Sequence, residues 1–306
     1  MKLSDVFWET EDLVSPGLSA CPGCAAELSL RTVLRILGPD TILGIPPGCM
    51  AGAGAVGWNR LSGVKVPVTI PLLDNTASLL SGIRRYYLRQ GRKNVKVVAF
   101  AGDGATADAG FQALSGAAER GENIIYICYD NEGYMNTGFQ RSSTTSKGSN
   151  TSTTPVGQLS QGKTQHKKDM PLLMALHDAA YVATISPAYT QDFVSKVEKA
   201  AVVRNGLVYL HVFSPCPTGW HFPPEDTISI ARLAVQTNFF PLWEYENGRF
   251  RQTLAVSQPK PLAELIRRLG KFHHLTEAEI ADMQDWVNHK TELLTRLFAA
   301  REDLAP

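Results

Sequence analysis

Hydrophobic positions along the chain switch between a helical period and short apolar runs, and the switches mark out the elements. From Ala25 to Leu37, the residues Leu28, Leu30, Val33, Leu34, Ile36 and Leu37 recur at mainly helical spacing until Gly38-Pro39 stops the run. Thr41 to Pro46 (TILGIP) reads as a short strand. Asn75 to Gln90 predicts a helix, and Lys96 to Ala101 (KVVAFA) is an almost wholly apolar strand, of the kind covered on both faces of a parallel sheet. The alternation continues with a helix from about Asp108 to Arg120, the strand Ile124 to Tyr129 (IIYICY) and a helix near Pro171 to Ala179. A strand from Val182 to Ile185, a helix near Thr190 to Val203 and a strand from Leu207 to Phe213 complete it. This order predicts an α/β fold, a doubly wound and mainly parallel sheet.

Past about Asp226 the pattern changes to a short amphipathic helix (Ile228 to Val235), a hairpin around Glu246-Asn247-Gly248, and helices near Pro261 to Leu269 and Glu277 to Ala299. Residues 1–225 therefore read as the ligand-binding domain. Residues 226–306 read as a C-terminal helical extension suited to a subunit contact.

Composition narrows the field. With 30 basic against 29 acidic residues in 306, no large field steers nucleic acid or an anionic membrane surface. The opening MKLSDVFWETEDLV carries charges where a signal peptide needs an apolar core, and no uninterrupted apolar stretch reaches membrane-spanning length, so a cytoplasmic location is expected. Five cysteines, an odd number, argue against a secreted disulfide framework and direct attention to metal or catalysis at Cys21-Pro22-Gly23-Cys24.

The strongest signal is Gly102-Asp103-Gly104 after KVVAFA, separated by twenty-six residues from Asn131, which follows IIYICYD. Each strand delivers its motif at its carboxyl end, where open α/β sheets bind ligands. The glycines let backbone approach a diphosphate, and a following helix N-terminus offers free N–H groups to it. A hard cation such as Mg²⁺ wants oxygen ligands, here the Asp103 carboxylate, the Asn131 amide oxygen and the Gly133 carbonyl. A lone GDG is only a turn sequence, but this spacing over one α-β unit is the signature of thiamine diphosphate binding. The tract Ser142 to Thr154, ten of whose thirteen residues are Ser or Thr, is expected to order around that ligand rather than to act as a linker.

The stretch GDGATADAGFQALSGAAERGENIIYICYDNEGYMNTGFQRSS, with CPGC, KKDMP at 167–171 and SPCPTGW at 214–220, closely resembles the β subunit of pyruvate:ferredoxin oxidoreductase, within the 2-oxoacid:ferredoxin oxidoreductases. The resemblance implies the thiamine-diphosphate-binding fold, with this chain supplying the diphosphate half of the site and one [4Fe–4S] cluster. It also implies an alpha-type partner subunit carrying the pyrimidine half and the activating glutamate, further subunits with iron–sulfur clusters, and ferredoxin as acceptor. Glu132 accordingly stays unassigned, and an isolated copy is not expected to turn over. Asn136 is implied to lie near the reacting carbon, with Tyr134, Thr137, Gln140 and Cys49 as further cofactor contacts.

Cys21, Cys24, Cys49 and Cys216 all stand in turn sequence, whereas Cys128 lies inside an apolar strand and reads as core. On spacing alone, four thiolates suit Zn²⁺ or an iron–sulfur cluster equally. Thiamine chemistry tips the balance, because the reductant left after decarboxylation needs a one-electron acceptor that zinc cannot be. The alternatives are a cluster-free thiamine enzyme and a zinc-stabilised binding module. Small residues at Ala51 and Gly52, with Leu73 where pyruvate-type relatives carry an aromatic, put oxalate level with pyruvate as substrate, coenzyme A being needed only where the product is acetyl-CoA. Relatives for longer 2-oxoacids are expected to be less similar. Gly52 to Gly57 forms a literal GxGxxG but follows a Pro-Pro-Gly-Cys turn rather than a strand, which disfavours a dinucleotide site. The histidines and Lys167-Lys168 suggest no site, and Arg84-Arg85 reads as a solvated face or subunit contact.

Overall fold

The computed structural model describes residues 2–52 and 63–300. In chain order the elements are α1 (Leu3–Trp8), α2 (Ala25–Leu37), β1 (Thr41–Gly44), β2 (Val68–Thr69), α3 (Thr76–Arg89), β3 (Lys96–Gly102), α4 (Phe111–Glu119) and β4 (Ile125–Asp130). There follow a small hairpin of β5 (Val156–Gly157) and β6 (Ser160–Gln161), then α5 (Met170–Ala175), β7 (Tyr181–Ile185), α6 (Thr190–Val202), β8 (Val208–Phe213), α7 (Pro217–Trp220) and α8 (Thr227–Gln236). The chain finishes with β9 (Leu242–Glu246), β10 (Arg249–Leu254), α9 (Ala263–Ile266) and α10 (Glu277–Ala299). One sheet runs β10-β9-β7-β8-β4-β3-β1-β2, parallel from β7 to β2 and antiparallel at the β9 and β10 edge.

Strand residues divide by alternation between two cores. Val98, Phe100, Ile125, Ile127 and Leu210 pack with Leu30 and Val33 of α2 and with Phe193 and Val197 of α6. Val97, Ala99, Tyr126, Cys128 and Tyr209 pack with Leu80, Leu114 and Met174 from α3, α4 and α5. Both faces are thus covered, which explains why the strands read as apolar runs. The third core brings the end of β8 and its loop (Phe213, Trp220) together with Ile230, Leu262, Leu265, Ile280 and Met283 of the last eighty residues.

The predicted hairpin at Asn247-Gly248 forms, with both residues at positive φ (51° and 74°) as a tight two-residue connection demands. Its place at the edge of the main sheet is beyond what local sequence tells, as are α1, β2, α7 and the small hairpin. The helices expected near 171–179 and 261–269 are shorter, Met170–Ala175 and Ala263–Ile266. Arg84 corrects the solvated-face reading: it is buried, and its guanidinium donates to Asn123 Oδ1 and to the carbonyls of Lys93 and Val95. Arg85 is exposed and pairs with Glu122 at 2.8 Å. Most of the GxGxxG stretch lies outside the described residues.

Candidate active site

Four neighbouring strands, β1, β3, β4 and β8, end on the same edge of the sheet and deliver Cys49, Asp103, Asn131 and Cys216 there. Directly after β3 the residues Gly104–Ala109 wind as a wide π-helical turn, with the Gly110 N–H donating to the Ala105 carbonyl at 2.9 Å and the Thr106 hydroxyl to the Gly102 carbonyl at 2.8 Å. Such turns are uncommon and frequent at functional sites. Gly104 has an additional reason to be glycine: a Cβ there would stand 2.4 Å from the Tyr134 ring, whose hydroxyl donates to the Gly104 carbonyl.

Asp103 is wholly buried. The Asn131 carboxamide lies between Asp103 Oδ1 and the Gly133 carbonyl, and with its nitrogen turned towards them it donates to both, at 3.0 and 2.9 Å. Turned the other way, it brings three oxygens together at those separations, about the ~3.0 Å edge of an octahedral oxygen shell with Mg²⁺-length bonds. The donor set thus fits the cation.

Burial and the adjoining Asp130 carboxylate push the Asp103 carboxyl well above the usual range. Burial acts on Asp130 as well, but the hydrogen bond and charge of His211, with Lys167 and Thr144, outweigh it and hold Asp130 low. The Thr144 hydroxyl stands 2.9 Å from both Asp103 Oδ2 and Asp130 Oδ1. One hydroxyl has one proton to give, so with both carboxylates ionised one of these contacts would be repulsive. The site asks for a proton or a cation at Asp103.

The Ser/Thr tract supplies the remaining donors. Ser142 Oγ donates to Asp103 Oδ2, Ser143 donates through both backbone and side chain to Asp108, and Thr145 Oγ1 donates to the Glu132 carbonyl. The buried Lys163 ammonium holds the carbonyls of Ser143 and Thr145, and burial pushes it down to about 8. Composition alone suggests a flexible linker, whereas its hydroxyls satisfy a buried acidic pocket.

The cysteine loops meet on one cavity of about 640 Å³, lined by Cys21, Cys24, Cys49 and Cys216 together with Asn131 and Asn136. Cys24 and Cys216 each cap a helix, their sulfurs accepting from Glu27 N at 3.4 Å and Gly219 N at 3.3 Å. Burial, then the charges of the other cysteines, pushes Cys49 up to about 12; burial, partly offset by the Glu27 and Ala26 N–H groups and aided by Cys216 and Cys21, pushes Cys24 up to about 11. Gly23, at φ 70°, lets the first loop press on the segment after Cys216, where a Cβ would meet the Pro224 carbonyl at 2.4 Å. Among the described residues no three His, Cys, Asp or Glu side chains are gathered tightly enough for a single metal ion. Cys128 is buried in β4.

The turn after Asn131 carries Tyr134, Asn136, Thr137 and Gln140. Thr137 and Gln140 bond to each other, and Tyr134 pairs with Gln140 across the turn, while Asn136 is exposed at the cavity wall. Leu73 packs against the core beside α3. Sequence reasoning does not single out Asp130, His211, Trp220 or Lys271 and leaves Glu132 unassigned; the signal available was an acidic residue on either side of Asn131.

Residues 64–212 match the family described as thiamine pyrophosphate enzyme, C-terminal TPP binding domain. Over 282 residues the chain is 45% identical to pyruvate synthase subunit PorB of Methanothermobacter thermautotrophicus, covering 91% of this chain and 96% of that one. The chain belongs to the β-subunit family of the 2-oxoacid:ferredoxin oxidoreductases. A second member of the family, the β subunit of NADH-dependent phenylglyoxylate dehydrogenase from Aromatoleum evansii, is 51% identical over 94% of this chain, which spans 65% of that relative's length. The name carries an aromatic 2-oxoacid, so similarity does not fall off with substrate size as expected. The fold is shared with a solved 2-oxoglutarate:ferredoxin oxidoreductase from Magnetococcus marinus, at 20% identity and a TM-score of 0.58, over 89% of this chain and 94% of that one. No helix among the described residues is long and apolar enough to cross a membrane.

Proposed function

We propose that this chain is the subunit of a 2-oxoacid oxidoreductase that holds the diphosphate end of thiamine diphosphate, its Mg²⁺ and a [4Fe–4S] cluster, with an alpha-type subunit completing the cofactor site. The observation that carries this is the single cavity joining four turn cysteines to Asn131 and Asn136 at the carboxyl edge of the sheet. When bound, thiamine diphosphate supplies the electron sink for decarboxylation. Asp103, Asn131 and the Gly133 carbonyl hold the cation that neutralises the diphosphate. Cys21, Cys24, Cys49 and Cys216 would hold the cluster: the four thiols line one cavity, and a redox role beside thiamine chemistry calls for an iron–sulfur group where zinc could only be structural. When bound, the cluster would supply a one-electron route to an iron–sulfur partner such as ferredoxin.

Asn136 presents its amide to the cavity as a donor to the oxyanion that develops on the substrate. Replacing it by alanine should lower kcat by about 10²–10³-fold with bound thiamine diphosphate unchanged; equal loss of cofactor would instead mark Asn136 as a binding residue. The substrate is a 2-oxoacid with a carbon substituent: Met50, Met135 and Phe139 give the cavity apolar walls. The test is anaerobic purification with whatever subunits accompany the chain, iron and thiamine analysis, and viologen reduction with phenylglyoxylate, pyruvate and oxalate. Turnover on oxalate alone would overturn the substrate reading, and a preparation without iron or thiamine would overturn the whole.

A further inference from the structure

Behind the cavity lies a charge pair that the chemistry above does not use. Lys271, in the last eighty residues, is fully buried, with its Nζ 2.5 Å from Glu132 Oε2, 3.8 Å from the centre of the Trp220 ring and 4.9 Å from that of Phe272. Trp220 joins both halves of the site: its backbone N–H donates to the Cys216 carbonyl and its indole N–H to the Asn131 carbonyl, each at 2.8 Å. Glu132 is also fully buried, accepts from Ser146 Oγ at 2.9 Å, faces Lys167 at 3.5 Å, and is held at φ 62°, a conformation costly for a residue with a Cβ. Buried ion pairs rarely outperform apolar packing as a source of stability. A strained glutamate and a buried lysine fixed on the indole next to a thiol ligand therefore ask for another role.

We propose that the Lys271–Glu132 pair sets the reduction potential of the cluster held at Cys216, Lys271 favouring the reduced state and Glu132 opposing it. This rests on the cluster reading above. Adding an electron to the cluster makes it more negative, so a fixed cation beside it stabilises the reduced form and a fixed anion the oxidised form. Trp220 keeps the ammonium against the Cys216 loop, so the charge acts at short range through protein rather than solvent.

The test is an EPR-monitored redox titration of the anaerobically purified complex, following the signal that disappears in Cys24→Ser. Lys271→Met should lower the reduced-to-oxidised ratio at fixed poise about tenfold, equivalent to 59 mV for one electron. Glu132→Gln should shift it the opposite way, Lys271→Arg should stay at the wild-type value, and the Lys271→Met/Glu132→Gln double variant should return towards it. Shifts of the same sign in both single variants, or none, would overturn the inference, since a purely structural pair would disturb the site alike from either side. Iron content and melting temperature identify any variant that fails to fold, in which case Lys271→Arg decides: a shifted potential there overturns the assignment. A wild-type complex without the signal would overturn the cluster reading and this inference together, whereas a wild-type signal with unmoved variants would overturn this inference alone.

Discussion

Asp103→Asn is expected to abolish Mg²⁺-dependent binding of thiamine diphosphate, weakening it by more than about 100-fold, the upper end for losing a partner that merely supports a ligand. The carboxylate is the single anionic member of the oxygen set with Asn131 and Gly133, and an amide keeps its shape while removing its charge. Titration calorimetry with the cofactor at saturating Mg²⁺ gives the measurement, and binding within tenfold of wild type would remove Asp103 from the cation site. The same variant should act oppositely on the metal-free protein. Burial and Asp130 raise the folded-state pKa of Asp103 above its unfolded value. Its contribution to stability is therefore intact below the unfolded carboxylate pKa of about 4 and is lost as pH rises through the folded value. The neutral amide escapes that loss. Metal-free Asp103→Asn should melt above metal-free wild type at neutral pH, and the gap should close as pH falls towards about 4.

The parts legible in the sequence are those governed by local pattern. Apolar runs with helical stretches between them disclosed the parallel sheet, because both faces of β3 and β4 are covered by helices. The spacing from Gly104 to Asn131 spans one α-β unit, α4 and β4, so it carries both motifs to the same edge of the parallel sheet. What escaped were side chains whose task depends on partners distant in sequence. Arg84 looks like half of a basic surface pair, and only the fold brings Asn123 and the Val95 carbonyl to it. Lys271 sits in an unremarkable Gly-Lys-Phe, 139 residues from Glu132. The Ser/Thr tract is legible by its position after the motif segment rather than by composition, and which acids its hydroxyls face (Asp103, Asp108 and Glu132) comes only from the fold.

The cysteines allow a sharper separation, since four of them line the cavity and the fifth does not. Cys24→Ser and Cys49→Ser should each reduce iron from about four atoms per chain to less than one and remove absorbance near 400 nm, because a cluster with a missing thiolate is readily lost. Serine is the informative replacement at Cys24. It preserves an acceptor at the N-cap of α2, where the thiol now receives the Glu27 N–H, so helix capping is retained while a soft ligand is lost. Cys128→Ala, by contrast, removes a buried sulfur from the core beside Tyr126 and Tyr209 and should leave iron and colour at wild-type levels. Iron, sulfide and zinc analysis of anaerobically purified protein reads the outcome. Loss of zinc instead of iron from Cys24→Ser would replace the electron-transfer role of these loops with a purely structural one. If Cys128→Ala bleaches the protein as Cys49→Ser does, the division of the thiols into four ligands and one core residue fails, and with it the assignment of the cavity as a cluster site.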